Sequence, residues 1–79
     1  MKLTYDPRHN IAYIRLREKQ AGVETIRVSE EVNVDLAPDG TVYGIELLNA
    51  NAQLVREDAG KLLVVNEASG KRHEIPLAG

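Results

Sequence analysis

VNVDLAPDGTVYGIEL, residues 32 to 47, decides the fold. Val32, Val34 and Leu36 alternate with Asn33 and Asp35, the period-two pattern of a strand with one apolar face. APDG then interrupts the pattern. Pro38 presets one dihedral, the Asp39 side chain bonds locally to turn amides, and Gly40 is free to take a positive φ, so these residues predict a tight hairpin turn. The pattern resumes with Val42 and Glu46 on one face and Tyr43, Ile45 and Leu47 on the other. Gly44, without a side chain, marks a bulge or the close approach of a neighbour. The acids Asp35, Asp39 and Glu46 fall in this span. Their positions assign them to the turn and polar face of a hairpin, with Asp35 facing solvent.

Toward the N-terminus, KLTYD alternates Leu3 and Tyr5 with Lys2, Thr4 and Asp6. PRHN reads as a turn, and IAYIRLR places Ala12, Ile14 and Leu16 opposite Ile11, Tyr13, Arg15 and Arg17. Tyr5 and Tyr13 would lie close across this first hairpin in one register, and the sequence leaves the register open. After EKQAG, VETIRV groups Ile26 with Val28. Strands are therefore predicted near residues 2–6, 11–17, 23–28, 32–36 and 41–47.

Toward the C-terminus, Asn49 is placed to cap a short helix near residues 50–58, with Leu54 and Val55 as its apolar stripe and Gly60 as its stop. A helix this short must pack on the sheet to persist. KLLVVN and KRHEIPL flank EASG and predict a terminal hairpin with strands near 62–66 and 71–76. Leu62 to Val65 are apolar on both faces, so either this subunit covers both or one meets a partner. Pro76 belongs at an edge, because it has no N–H for a ladder. The expected architecture is α+β: one domain over residues 1–79, a mainly antiparallel sheet, a short helix and a C-terminal hairpin.

Composition narrows the function classes. A chain of 79 residues buries only about 60% of its unfolded surface. With no cysteine, it has neither disulfides nor thiolate metal sites. Packing alone or a covering partner must supply stability, and a homodimer is expected. Ten Lys and Arg against twelve Asp and Glu give a net charge of -2, and the basic residues are interleaved with glutamates. That balance argues against a nucleic-acid partner, which needs concentrated positive charge. Asp6, Arg8 and His9 interrupt any opening apolar run, so no signal peptide is expected. No stretch approaches the ~20 apolar residues of a membrane span. The expected location is the cytoplasm.

His9 with Asp6 is the nearest approach to a metal pair, but a fixed site needs three or more converging ligands; His73 sits between Arg72 and Glu74 in a polar strand. Ser29 and Ser69 lie in turns without a nucleophile-elbow pattern. His9, Arg15 and Glu46 would suit phosphodiester cleavage only if they met in space. Gly40 and Gly44 form no phosphate loop. Arg15, Arg17 and Arg27 would form a basic strip if their strands were neighbours. No catalytic, cofactor-binding or metal residue is assigned, and no cofactor is expected.

KLTYDP, IAYIRL and ETIRVSEEVNVDLAPDGTVYGIELLNA together resemble the family called domain of unknown function 2283 (DUF2283), also described as YuzE-like. The resemblance covers residues 2–50 and rests on Tyr5, Asp6, Tyr13, Val32, Asp35, Gly40, Gly44, Ile45 and Glu46. It carries no accepted catalytic residues, leaving Tyr5, Asp6, Tyr13, Gly40, Gly44 and Glu46 as structural positions with binding as a second role. RHN after Pro7 departs from the family's more acidic turn. Some members resemble the smaller component of two-gene modules, which implies an antitoxin-like binding role. The leading expectation is a non-enzymatic interaction protein with a protein partner. The alternative is a small nucleic-acid-binding or nucleic-acid-processing protein using Arg15, Arg17 and His9.

Overall fold

The computed structural model describes residues 1–18, 21–55 and 60–77. Its elements run β1 (Lys2–Asp6), β2 (Ile11–Arg15), β3 (Glu24–Arg27), β4 (Val32–Leu36), β5 (Val42–Leu48), α1 (Ala50–Val55), β6 (Lys61–Val65) and β7 (Arg72–Pro76). The first five strands form one antiparallel sheet in the order β1-β2-β5-β4-β3, and β6 and β7 form a separate hairpin. The α+β architecture expected from the alternation is the one observed. The predicted helix through residue 58 runs beyond Val55, outside the described residues, as does the Val55 side chain.

The β4–β5 connection forms as its residues dictate. Gly40 N–H donates to Ala37 O at 2.9 Å and Ala37 N–H to Thr41 O at 2.8 Å. Gly40 takes φ 86°, a left-handed conformation that a β-carbon disfavours. Asp39 Oδ1 accepts from both the Thr41 amide, at 3.0 Å, and the Thr41 hydroxyl, at 2.6 Å. These bonds hold the Asp39 carboxyl below its usual pKa. The ladder continues with Asp35 opposite Gly44 but Leu36 opposite Val42, so Tyr43 is an extra residue and the strand bulges beside Gly44.

Pairing places Tyr5 opposite Ala12 and Thr4 opposite Tyr13. Tyr5 and Tyr13 therefore occupy opposite faces of the sheet, so the register formed is not the one that would bring the tyrosines together. The register that decides this depends on the length of the turn, and a one-residue change in register reverses every side chain.

The helix is capped from a distance. The Asn49 carbonyl accepts the first helical amides, from Ala52 at 3.1 Å and Gln53 at 3.2 Å. The side chain that receives a helix N–H is not Asn49 but Asn10, whose Oδ1 accepts from Asn51 N–H at 2.6 Å. The Asn10 backbone carbonyl takes the Ala50 N–H at 3.1 Å, and Asn10 Nδ2 donates to Asn49 Oδ1 at 3.2 Å. Tyr5 Oη donates to Asn51 Oδ1 at 2.5 Å, while Asn51 Nδ2 donates to Pro7 O at 3.2 Å. The β1–β2 turn thus holds the helix start against β2.

Packing behind this frame is thin. Among the described residues the fully buried apolar side chains are Ala12, Ala37 and Ala50, and no large one is fully buried. Leu3, Ile14 and Leu47 of the sheet, Leu54 of the helix, and Leu62, Val64 and Leu77 of the terminal segment surround an apolar cavity of about 260 Å³. The hairpin lies over the sheet without closing on it.

Three substitutions at two positions test these assignments. Gly40→Val should lower stability by about 1–3 kcal/mol through conformational strain. The space is open there, with no atom within 4 Å of an added β-carbon, so Gly40→Asn should cost less. Asn10→Gly keeps the positive φ of that position while deleting the distant cap, and should cost roughly 1–2 kcal/mol. Urea unfolding measures each loss, and amide exchange should place the Asn10 effect in residues 50–53.

Candidate functional site

The polar face of the five-stranded sheet gathers the residues singled out by the sequence. Cross-strand register sets out two rows: Thr25, Asp35, Gly44, Arg15 and Lys2 in one, and Arg27, Asn33, Glu46, Tyr13 and Thr4 in the other. Tyr13 reaches from its own row across Gly44 to Asp35, donating its phenol proton to Oδ2 at 2.6 Å. A β-carbon on Gly44 would lie 2.7 Å from Tyr13 Cε1, so the missing side chain is what lets the ring cross. Thr25 Oγ1 donates to Asp35 Oδ1 at 2.5 Å, and Asn33 Nδ2 donates to Glu46 Oε1 at 2.9 Å.

Asp35 is half-buried and accepts from two hydroxyls, one at each carboxylate oxygen. It is not the solvent-facing residue expected from strand alternation. The Tyr13 ring and the β3 edge, both remote in sequence, cover it. Burial raises the Tyr13 pKa first; the hydrogen bond to Asp35 and the nearby Asp35, Tyr43 and Glu46 charges raise it further above the ordinary 10.0. A neutral phenol held this way supplies a brace from β2 to β4 over β5. It is a poor general base, because its phenolate is the disfavoured form.

The other candidates separate in space. His9 belongs to the turn beyond one end of β2, while Arg15 lies at the other end, opposite Lys2. His9 Nδ1 sits 2.7 Å from Asp6 Oδ2, and Asp6 Oδ1 accepts the Arg8 amide at 2.9 Å. The hydrogen bonds from His9 and then Arg8 hold the Asp6 carboxyl well below its usual range. His73 is across from Val64 in the terminal hairpin. β5 and β4 separate β2 from β3, so Arg15 and Arg27 do not form the strip that adjacent strands would allow. Ser29 Oγ accepts Glu31 N–H at 3.2 Å and Ser69 Oγ accepts Lys71 N–H at 3.3 Å, both as turn contacts. Among the described residues, no three His, Asp or Glu side chains converge as metal donors.

A family profile described as "Protein of unknown function (DUF2283)" matches residues 2–51. The chain belongs to the DUF2283 family. No curated protein and no solved structure matches it. The DUF2283 match takes in β1 through β5 and the helix start, and ends before the terminal hairpin. Six of the positions that carry the DUF2283 resemblance have local structural tasks. Tyr5 holds Asn51, Asp6 shapes the first turn, Tyr13 braces Asp35, Gly40 turns the chain, Gly44 admits Tyr13, and Glu46 accepts from Asn33.

Sequence reading missed Thr25, Asn10 and Asn51 in these networks. Positive φ makes Asn a favoured residue at position 10, but only the helix placed beside it identifies its partner. No helix among the described residues is long and apolar enough to cross a membrane.

The Tyr13 brace predicts an alkaline sensitivity. Because folding raises this pKa, the contribution is fully present below the unfolded value near 10 and is lost as pH rises through the folded value. Urea midpoints should fall as pH climbs past about 10, and Tyr13→Phe should flatten that fall while lowering stability at neutral pH.

Proposed function

We propose that this chain is a non-enzymatic interaction protein, an antitoxin-like binding component that acts as a cytoplasmic homodimer and contacts protein through its β6–β7 hairpin. The observation that carries this reading is the exposure of Leu62, Leu63, Val64, Val65 and Ile75, each between 37% and 48% accessible. All five lie in one two-stranded hairpin, Leu62, Val64 and Ile75 on the face turned to the sheet and Leu63 and Val65 on the other, and such exposed apolar surface supports a contact role. The acids outside the hairpin support the same reading. The carboxylates of Asp35 and Glu46 accept hydrogen bonds from their neighbours in the sheet, while Asp6 and Asp39 shape turns. Their chemistry is spent within the fold.

A nucleic-acid-binding or nucleic-acid-processing role using Arg15, Arg17 and His9 has less support, because His9 and Arg15 lie at opposite ends of β2 and the net charge is -2. Capture from cells that naturally contain the protein distinguishes the two. One protein should co-purify reproducibly, and Val64→Asp should abolish its capture while circular dichroism shows the fold retained. Enrichment of RNA, with metal-dependent cleavage that disappears in His9→Ala, would overturn the proposal.

A further inference from the structure

Four strand edges are unpaired among the described residues, and they differ in what they offer a partner. β1 carries Lys2 and Asp6, and β3 carries Glu24 and Arg27; such charges oppose edge-to-edge pairing. β7 carries Arg72, His73, Glu74 and Pro76. β6 is different, because four consecutive apolar residues, Leu62 to Val65, follow Lys61.

The hydrogen-bond phase sharpens the contrast. Asn66 N–H bonds to Lys71 O at 2.9 Å, and Leu77 N–H bonds to Gly60 O at 2.8 Å. In an antiparallel ladder bonded pairs alternate, so Leu62 and Val64 bond inward to β7, while the amides and carbonyls of Lys61, Leu63 and Val65 point outward. On β7 the outward positions are Arg72, Glu74 and Pro76, and Pro76 has no N–H to give. β6 retains its full outward row of donors. β7 does not.

The surface of a single copy is too large for its mass. A folded monomer of 8.7 kDa should expose about 4,700 Å². This chain exposes 5963 Å². The excess, about 1,200 Å², is larger than the ~800 Å² that each partner buries in a standard interface. Its radius of gyration, 14.0 Å, likewise exceeds the ~11.6 Å expected for a compact chain of this length.

We propose that β6 pairs antiparallel with β6 of a second copy about a two-fold axis at Leu63, joining the two hairpins into one four-stranded sheet. This rests on the reading of the hairpin as a contact surface and identifies its first occupant as the same chain. An antiparallel pair of identical strands is self-complementary, the requirement for a closed dimer. Leu63 then faces Leu63 across the axis, Leu62 faces Val64, and Val65 faces the aliphatic stem of Lys61. The outward amide of each of Lys61, Leu63 and Val65 meets an outward carbonyl of the other copy.

The chain has no cysteine, so Leu63→Cys introduces its sole thiol. In the paired sheet the two Cα atoms would stand about 5.5 Å apart, within disulfide range. Mild oxidation should give a covalent dimer, whereas Glu74→Cys on the β7 edge should cross-link far more slowly. In sedimentation at micromolar concentration, the unmodified protein should show twice the mass of the chain. Leu63→Pro deletes an outward donor but no bond of the hairpin's own ladder, and should shift the protein to monomer with the amide signals of β7 retained. If Leu63→Pro disrupts the hairpin, relative cross-linking of the two cysteine variants decides the question. A monomer throughout the micromolar range would overturn the dimer; a Val64-dependent heterologous partner would then preserve the broader interaction reading. A dimer cross-linked equally well at both edges would overturn the β6 pairing while preserving the homodimer.

Discussion

Burial is the scarce resource in this molecule. A five-stranded sheet covered by one short helix and a loosely seated hairpin encloses only Ala12, Ala37 and Ala50 fully among its described apolar residues. Those alanines mark close backbone approach, notably where the helix start meets β2, and supply little hydrophobic free energy of their own. The larger side chains line a cavity of about 260 Å³ instead of closing it. The exposed hairpin and the expanded surface are two consequences of the same shortage. Association would relieve both.

With so little buried hydrocarbon, directional bonds acquire more importance in selecting one arrangement. Tyr13 spans from β2 to Asp35 on β4 and passes over Gly44 on β5, linking three strands through one side chain. Asn10 does similar work just before β2, satisfying first-turn amides that no helix can satisfy itself. Both devices fix how elements meet. Residues that resemble a catalytic inventory, including a tyrosine, several carboxylates and a histidine, are distributed among braces and turns. A count of reactive residue types therefore says little about activity without their convergence.

The DUF2283 match and the proposed contact surface occupy different parts of the chain. The profile ends at residue 51, whereas the apolar hairpin begins at Lys61. The sheet with its Tyr13 brace lies within the match, and the hairpin proposed as the contact surface lies outside it.

Local chemistry determined much of the architecture before any tertiary contact was known. Alternation in VNVDL, the positive-φ requirement at Gly40 and the two-sided LLVV segment predicted the strands, the turn and the terminal hairpin, because each depends on residues a few positions apart. Strand order, the separation of Tyr5 from Tyr13 and the cover over Asp35 depended on register between distant segments. The identity of the helix-capping side chain did too: Asn49 has the right local position, but Asn10 reaches the free amide. Sequence periodicity specifies which way a strand's side chains alternate; only the assembled sheet specifies which neighbours those side chains meet.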